Sequence, residues 1–129
     1  MITTRRFTAE PPSVAGARRF ATDALADLPA ETLDAVELMV SELATNCIRH
    51  AEADFEVTIE SRRDEVRVEV RDDDHQGTPT KQSPGPEEPR GRGLQIVEMF
   101  SDAWGVEPVR GDGKTVWFVV GLEAVASTA

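Results

Sequence analysis

The feature that most constrains the fold is an apolar stripe in the segment "AETLDAVELMVSELATNCIRHA", residues 30–51. Its apolar residues recur at steps of three or four, at Leu33, Val36, Val40, Leu43, Cys47 and Ala51. This spacing places them on one face of an α-helix, so it predicts a long helix with one buried side. Such a helix needs a second apolar layer to pack against.

Segments with strand periodicity provide that second layer. "FEVTIES" and "EVRVEVRD" alternate apolar and polar residues, and the polar residues 62–64 between them predict a β-hairpin. "WGVEPV" and "GKTVWFVVGL" predict two more strands, joined by the Gly-Asp-Gly turn at 111–113. Residues 3–9 predict a short edge strand. These strands follow one another through turns, which favours antiparallel pairing.

Two further helices complete the predicted elements. "PPSVAGARRFATDALADL" has helical spacing, with Ser13 as its N-cap and Pro29 directly after it. "GLQIVEMFSDA" has Leu94, Val97 and Phe100 facing inward. The order β-α-α-β-β-loop-α-β-β predicts an α+β fold. We expect a two-layer sandwich of about three helices on one face of a mostly antiparallel mixed sheet.

Length and composition limit the classes of function. The 129 residues fit one domain over 1–129, with a short tail at 123–129. No apolar run approaches the roughly 20 residues of a membrane span, and the N-terminus lacks a signal-peptide core. The net charge of -10 opposes non-specific binding to nucleic acid. The single cysteine, Cys47, allows no internal disulfide, favours a cytoplasmic location and argues against a structural zinc site.

Three polar residues lie beside the apolar stripe of the long helix. Glu42 and Asn46 are four residues apart and therefore share one face, and His50 continues the row. They fit the solvated flank of an ordinary amphipathic helix. They also fit a site in which a carboxylate base lies next to an amide oxygen that ligates Mg²⁺.

Asp72 ends the strand "EVRVEVRD" at the point where the chain leaves the sheet. One alternative is that the three aspartates 72–74 solvate the end of a strand. The other is that Asp72 is buried and accepts a hydrogen bond from an exocyclic amine of a ligand, while Asp73 and Asp74 face solvent.

The junction "RGRGLQIV" places two glycines and two arginines at the start of the third helix. The first helical turn has unpaired N–H groups and partial positive charge, and Gly91 and Gly93 allow an anion to approach them. Arg90 and Arg92 add charge. The alternative is a simple loop-to-helix transition. The preceding segment 73–90 contains four prolines and predicts a long loop.

Together, "SELATNCIRHA", "VEVRDDDHQG", "RGRGLQIV" and "GKTVWF" resemble the N-box and the three glycine boxes of the Bergerat-fold ATPases. That superfamily includes gyrase, mismatch-repair proteins and the catalytic domains of histidine kinases. Within it the chain is most similar to the small anti-sigma-factor serine/threonine kinases of actinobacteria. Their N-box reads Ser-Glu-x-x-x-Asn, as Ser41, Glu42 and Asn46 do here, and the likeness covers nearly the whole chain.

The resemblance implies ATP and Mg²⁺ as cofactors and a role for each matching residue. Glu42 resembles the catalytic base that activates a serine or threonine hydroxyl of a protein substrate. Asn46 resembles the Mg²⁺ ligand at the nucleotide, and Asp72 the residue that binds the adenine amine. Thr115 resembles a support of the adenine pocket, and segment 73–90 the ATP lid.

The remaining matches concern the phosphates. Gly91 and Gly93, with the following Leu94, resemble the second glycine box at the nucleotide. For His50, Arg90, Arg92 and Lys114 the match is looser, and they are predicted on the phosphate side of the site.

The first glycine box departs from the family pattern Asp-x-Gly-x-Gly. Here it reads "DDDHQG", with Asp74 at the first glycine position and Gly77 one residue late. Three functions therefore stay open. The first is an anti-sigma factor that phosphorylates an anti-anti-sigma protein and sequesters a sigma factor. The second is a degenerate module that binds such proteins without catalysis. The third is the catalytic part of a histidine kinase. A homodimer is one alternative for the oligomeric state.

Overall fold

The computed structural model of the chain describes residues 1–73, 90–108 and 113–122, and only the backbone at 90–92. Its elements follow the predicted order, and their bounds are β1 Ile2–Phe7, α1 Pro12–Ala24, α2 Ala30–Asn46, β2 Phe55–Ser61, β3 Glu65–Asp72, α3 Arg90–Phe100, β4 Ala103–Pro108 and β5 Lys114–Gly121. Gly77, most of segment 73–90, residues 111 and 112 of the predicted turn, and the 123–129 tail lie outside the described residues.

The five strands form one sheet in the order β1-β2-β3-β5-β4. The four pairings are all antiparallel, so the strands described form an antiparallel rather than a mixed sheet. The β2–β3 hairpin and the edge position of β1 are confirmed. The central strand β3 pairs along its whole length with β5 and from Val66 to Asp72 with β2, which fixes the register of the middle of the sheet.

The core lies between the sheet and the helices. Because side chains alternate along a strand, every second residue of the central strands points to the helix-covered face. The side chains of that face pack against the apolar stripe of α2. The fully buried residues of the two layers include Val36, Met39, Val40, Val57, Ile59, Val66, Val68 and Phe118. Burying a side chain of this size stabilises a fold by about 1.5–3 kcal/mol. The α+β sandwich predicted from the two periodicities is confirmed.

Helix α1 differs from its prediction at both ends. Pro11 occupies the N-cap position and no side chain caps the helix, so the prediction for Ser13 was wrong. Its hydroxyl oxygen instead lies 3.2 Å from that of Thr8. Pro12, the first helical residue, has no N–H, which leaves one fewer donor to satisfy. The helix ends at Ala24 and not near Pro29, although Leu25 beyond it is still buried.

The long helix also changes before its predicted end. It is α-helical through Asn46 and continues as a π-helical turn over Cys47–Ala51, after which Glu52 adopts a left-handed backbone with φ 51°. Such π-helical turns are rare in proteins, and many of those that occur lie at functional sites. No helix among the described residues is long and apolar enough to cross a membrane.

Helix α3 begins at Arg90, so both glycines of "RGRG" belong to its first turn. Val97 is fully buried and Leu94 packs against the core, as predicted. Phe100 is 44% exposed, so its predicted inward orientation was wrong. It is the last residue of the helix, where the chain turns away towards β4.

Candidate functional site

Asp72 is the last residue of β3 and its side chain is 2% exposed. It follows Val70 on the covered face of the sheet and is the one buried charged residue found among the described residues. Across the neighbouring strands its register partners are Phe55 and Lys114. Asp72 is therefore buried, as one of the two sequence alternatives required, whereas its role towards a ligand stays a prediction.

Lys114 lies directly beside this carboxylate. Its Nζ donates a hydrogen bond to Oδ2 of Asp72 at 2.8 Å, and its own side chain is 47% exposed. The lysine thus reaches a buried acceptor from the solvent side. The structure thus places Lys114 beside the residue assigned to the base, and its predicted role at the phosphates stays a prediction. Sequence reasoning missed this pair because the two residues are 42 positions apart in the chain and meet only through the register of β3 and β5.

Gly113 closes the same end of the sheet. Its backbone has φ 79°, a conformation that residues with a Cβ seldom adopt. A Cβ at this position would overlap the backbone oxygen of Asp72 and would lie 3.1 Å from its Oδ1. The turn into β5 is therefore packed against Asp72 so closely that only glycine fits, and this contact fixes the backbone at which Lys114 begins.

A second close contact joins α2 to α3. A Cβ added at Gly93 would lie 2.7 Å from Nδ2 of Asn46, so the amide of Asn46 rests against the first turn of α3. Gly93 is buried, and Glu42 lies one helical turn before Asn46 on the same face of α2. This arrangement brings an amide and the N-terminal turn of a helix together at a place suited to an anion, with a carboxylate one helical turn away.

Cys47 follows Asn46 and connects the two contacts electrostatically. Burial raises the pKa of the Cys47 thiol well above its usual range, and the negative charge of Asp72 raises that pKa further. The ammonium of Lys114 acts in the opposite direction. The C-terminal end of α2 is therefore close enough to the Asp72–Lys114 pair to be influenced by its charges.

Asp73 faces solvent only in part, and it has an ion-pair partner that the sequence did not reveal. Its side chain is 25% exposed and forms an ion pair with Arg6 of β1, which also approaches Glu56 at 3.6 Å and Asp54 at 3.9 Å. The N–H of Asp73 donates to the carbonyl oxygen of Asp54 at 3.1 Å. The chain is thus anchored directly after Asp72. Sequence reasoning missed Arg6, whose position opposite Glu56 depends on the pairing of β1 with β2.

Other predicted site residues occupy varied positions. Thr115 pairs with Arg71, one residue away from the Lys114–Asp72 pair, so its side chain starts from the opposite face of the sheet. Leu94 packs against the core, and His50 is exposed on the π-helical turn. Gly91 lies in the first turn of α3, as do Arg90 and Arg92. The roles assigned to these residues stay predictions.

An open groove of about 740 Å³ lies elsewhere, between β1 and α1. Its lining includes Ile2, Arg5, Arg19 and Phe20, and none of the predicted site residues. The groove is therefore separate from the two glycine contacts that the candidate site comprises.

Comparison with known proteins bears on the family and the fold of the chain. A family model described as a histidine kinase-like ATPase domain matches residues 7–120. No curated protein matches the chain. Among solved structures, the chain is similar to the histidine kinase domain from the Erythrobacter litoralis EL346 blue-light activated histidine kinase. The two are 25% identical with a TM-score of 0.56, and the match covers 77% of this chain and 48% of that one. The chain thus spans about half the length of that protein, and the predicted ATPase fold is confirmed.

Proposed function

Since the chain belongs to the histidine kinase-like ATPase family, we propose that it is an ATP-dependent serine/threonine kinase that acts as a cytoplasmic anti-sigma factor. Its substrate is a small anti-anti-sigma protein, and its second partner is a sigma factor. Phosphorylation of the first partner decides which of the two the chain holds. One observation carries this proposal: Glu42 lies one helical turn from Asn46, whose amide rests on the first turn of α3.

At the base end of the site, Asp72 accepts a hydrogen bond from the exocyclic amine of adenine. The burial of Asp72 supports this role. A ligand that displaces water from the carboxylate without offering a donor in its place loses about 1–3 kcal/mol of binding free energy. Gly113 holds the backbone around Asp72 in place. The base end therefore selects by hydrogen bonding within a rigid frame.

At the phosphate end, the N–H groups of the first turn of α3 and the amide of Asn46 bind and orient the triphosphate. Among the described residues no group of three or more His, Cys, Asp or Glu side chains forms a metal site. Mg²⁺ normally takes few protein ligands together with phosphate oxygens, so a single oxygen ligand from Asn46 fits it. When bound, Mg²⁺ neutralises charge on the phosphates.

Glu42 is the general base in this proposal. It is partly exposed on α2, so a hydroxyl of a docked protein can reach it from solvent. Its carboxylate accepts the hydroxyl proton as the oxygen attacks the γ-phosphorus, the bond from phosphorus to the β–γ bridging oxygen breaks and ADP leaves. A positioned general base contributes about 10²–10⁴-fold to a rate. The resemblance of Ser41, Glu42 and Asn46 to the N-box of the anti-sigma kinases supports a serine or threonine hydroxyl as the acceptor.

The test separates ATP binding from phosphoryl transfer. ATP with Mg²⁺ at about 100 times its Kd should stabilise the chain by about 2.7 kcal/mol, measurable as a higher Tm. Labelled ATP should then transfer phosphate to a cognate anti-anti-sigma protein. Glu42→Gln should reduce that transfer at least about 100-fold with the ATP-induced rise in Tm unchanged. Glu31→Gln, an exposed substitution on the same helix, should leave both measurements unchanged.

Full transfer by Glu42→Gln would remove the assigned base. A Tm that millimolar ATP does not change, in a chain that still binds its protein partner, would instead identify a binding module without catalysis.

A second candidate is the catalytic part of a histidine kinase, which the similarity to a histidine kinase domain favours. The stability of the phosphoprotein distinguishes the two. Phosphoserine and phosphothreonine survive acid, whereas phosphohistidine is hydrolysed. We expect the labelled partner to keep its phosphate in acid and to lose it in alkali.

A further inference from the structure

The Asp72–Lys114 pair presents a hydrogen-bond acceptor and a donor side by side. Oδ2 of Asp72 and Nζ of Lys114 are 2.8 Å apart, at the same end of the covered face of the sheet. The acceptor is buried and the donor is half-exposed, so their order from inside to outside is set. An ordinary surface ion pair has neither property, because both of its groups are hydrated and mobile.

We propose that Lys114 is a specificity-determining residue that reads the base of the nucleotide, donating to N1 of adenine while Asp72 accepts from the 6-amino group. The inference rests on the proposed function, since it places an adenine nucleotide at Asp72. It replaces the phosphate-side position predicted for Lys114.

The edge of adenine matches this pair. Its 6-amino group is a donor, and the adjacent ring atom N1 is an acceptor. An ammonium has three N–H donors, so a bond from Lys114 to Asp72 is compatible with a second bond to a ligand. Both contacts to the base would involve a charged group, which makes them stronger than bonds between neutral partners. The inner position of Asp72 assigns the amine to it and N1 to Lys114.

The backbone supports this position for the lysine. Gly113, immediately before Lys114, packs against the Asp72 carbonyl with a left-handed backbone. Lys114 also faces Asp72 directly in the β3–β5 register. Its Cα is therefore fixed beside the base end, while its long side chain retains freedom at the tip. This combination allows Nζ to shift from the carboxylate alone to a position between carboxylate and base.

The experiment compares ATP with 1-deaza-ATP, which has a C–H in place of N1 and keeps the 6-amino group. We expect the wild-type chain to bind 1-deaza-ATP with Mg²⁺ about 10-fold more weakly than ATP in calorimetry, the loss of one hydrogen bond to a charged group. Lys114→Met should weaken ATP binding by a similar factor and abolish the discrimination between the two nucleotides. The two changes form a cycle that isolates the contact between Lys114 and N1.

Arg71→Met is the matched control. It removes the same charge from the neighbouring register position, where the side chain is exposed on the opposite face of the sheet. We expect this variant to retain the roughly 10-fold preference for ATP.

Four results would overturn the inference. Equal wild-type affinities for ATP and 1-deaza-ATP would overturn it alone, and this measurement needs no variant to fold. Tighter binding of ATP by Lys114→Met would mean that the lysine only covers Asp72. If Lys114→Met lost affinity for ATP but not for adenosine, Lys114 would contact the phosphates and not the base. Absence of any ATP binding at millimolar concentration would overturn the proposed function, and this inference with it.

Discussion

The two ends of the candidate site both depend on a glycine, but the glycines meet different neighbours. At the base end, a Cβ on Gly113 would overlap a backbone oxygen, and its φ of 79° disfavours any side chain. At the phosphate end, a Cβ on Gly93 would meet the terminal amide of Asn46, which is the tip of a side chain. The base end is thus fixed by main chain, whereas the phosphate end can respond by moving one side chain.

The difference follows from the elements that build each end. Asp72 and Lys114 are neighbours in an antiparallel register that extends over eight residue pairs, so one pair cannot move without the others. Asn46 and Gly93 meet where two helices cross, and packed helices slide by small amounts more easily than paired strands. A site with one rigid and one adjustable end can select a base strictly and still accommodate changes at the phosphates.

The largest effect is expected for Gly113→Ala, which tests the rigid end. The left-handed backbone alone costs about 1–2 kcal/mol for a residue with a Cβ, and the overlap with the Asp72 carbonyl adds to that cost. We expect the free energy of unfolding in urea to fall by about 3 kcal/mol in all. Gly121→Ala, at the other end of β5, should cost less than about 1 kcal/mol. Similar losses for the two variants would contradict the overlap with the Asp72 carbonyl that makes this end rigid.

Gly93→Ala tests the adjustable end and should cost less. We expect a fall of about 1 kcal/mol in the free energy of unfolding, because the Asn46 amide can rotate away. Nucleotide affinity should fall more clearly, by about 10-fold, since that amide leaves its position at the first turn of α3.

The double variant Gly93→Ala/Asn46→Ala sharpens this test. It removes the overlap, so the free energy of unfolding should recover while ATP binding in calorimetry stays weak. If the free energy of unfolding does not recover, the cost of Gly93→Ala does not come from its overlap with the Asn46 amide.

A pH-dependent effect concerns Cys47, which lies between the two ends. Burial, followed by the charge of Asp72, raises the pKa of its thiol in the folded chain, whereas an unfolded thiol titrates near about 8.5. Above that pH the unfolded chain binds fewer protons than the folded chain, so stability falls as pH rises. Between about pH 9 and 10 we expect the free energy of unfolding of the wild type to fall more steeply than that of Cys47→Ala, by up to about 1.4 kcal/mol per pH unit. Urea unfolding at several pH values measures both. Parallel pH profiles would contradict a protonated, buried thiol.

The layers of the fold were predictable from periodicity, because burial acts on every third or fourth residue of α2 and every second residue of β3. Asp72 could be proposed as a buried carboxylate from its place at the end of such a strand. The partner of Asp72 could not, since Lys114 reaches it through strand register and not through any local pattern. Register is set by the whole hydrophobic pattern of two distant segments.

Three local predictions, at the end of the long helix, at Phe100 and at Ser13, differ from the structure for identifiable reasons. The stripe continues through Cys47, so nothing in the spacing revealed the single-residue expansion of the π-helical turn at Cys47–Ala51. Phe100 continues the helical spacing but stands at the end of α3, where no layer covers it. Ser13 has a good capping side chain, yet Pro12 already begins the helix before it. In each case the chain's surroundings overruled a correct local preference.

The alternation of β5 also limits how this family member could acquire a new ligand preference. Val116 and Phe118 are buried on the same face that presents Lys114 to Asp72. Deleting one residue at the start of the strand would place Thr115 beside Asp72, but it would also turn Trp117 into the core and Phe118 out to solvent. A change at this end of the sheet is therefore more accessible through point substitutions at positions 72 and 114 than through a change in the length of the strand start, which the core holds constant.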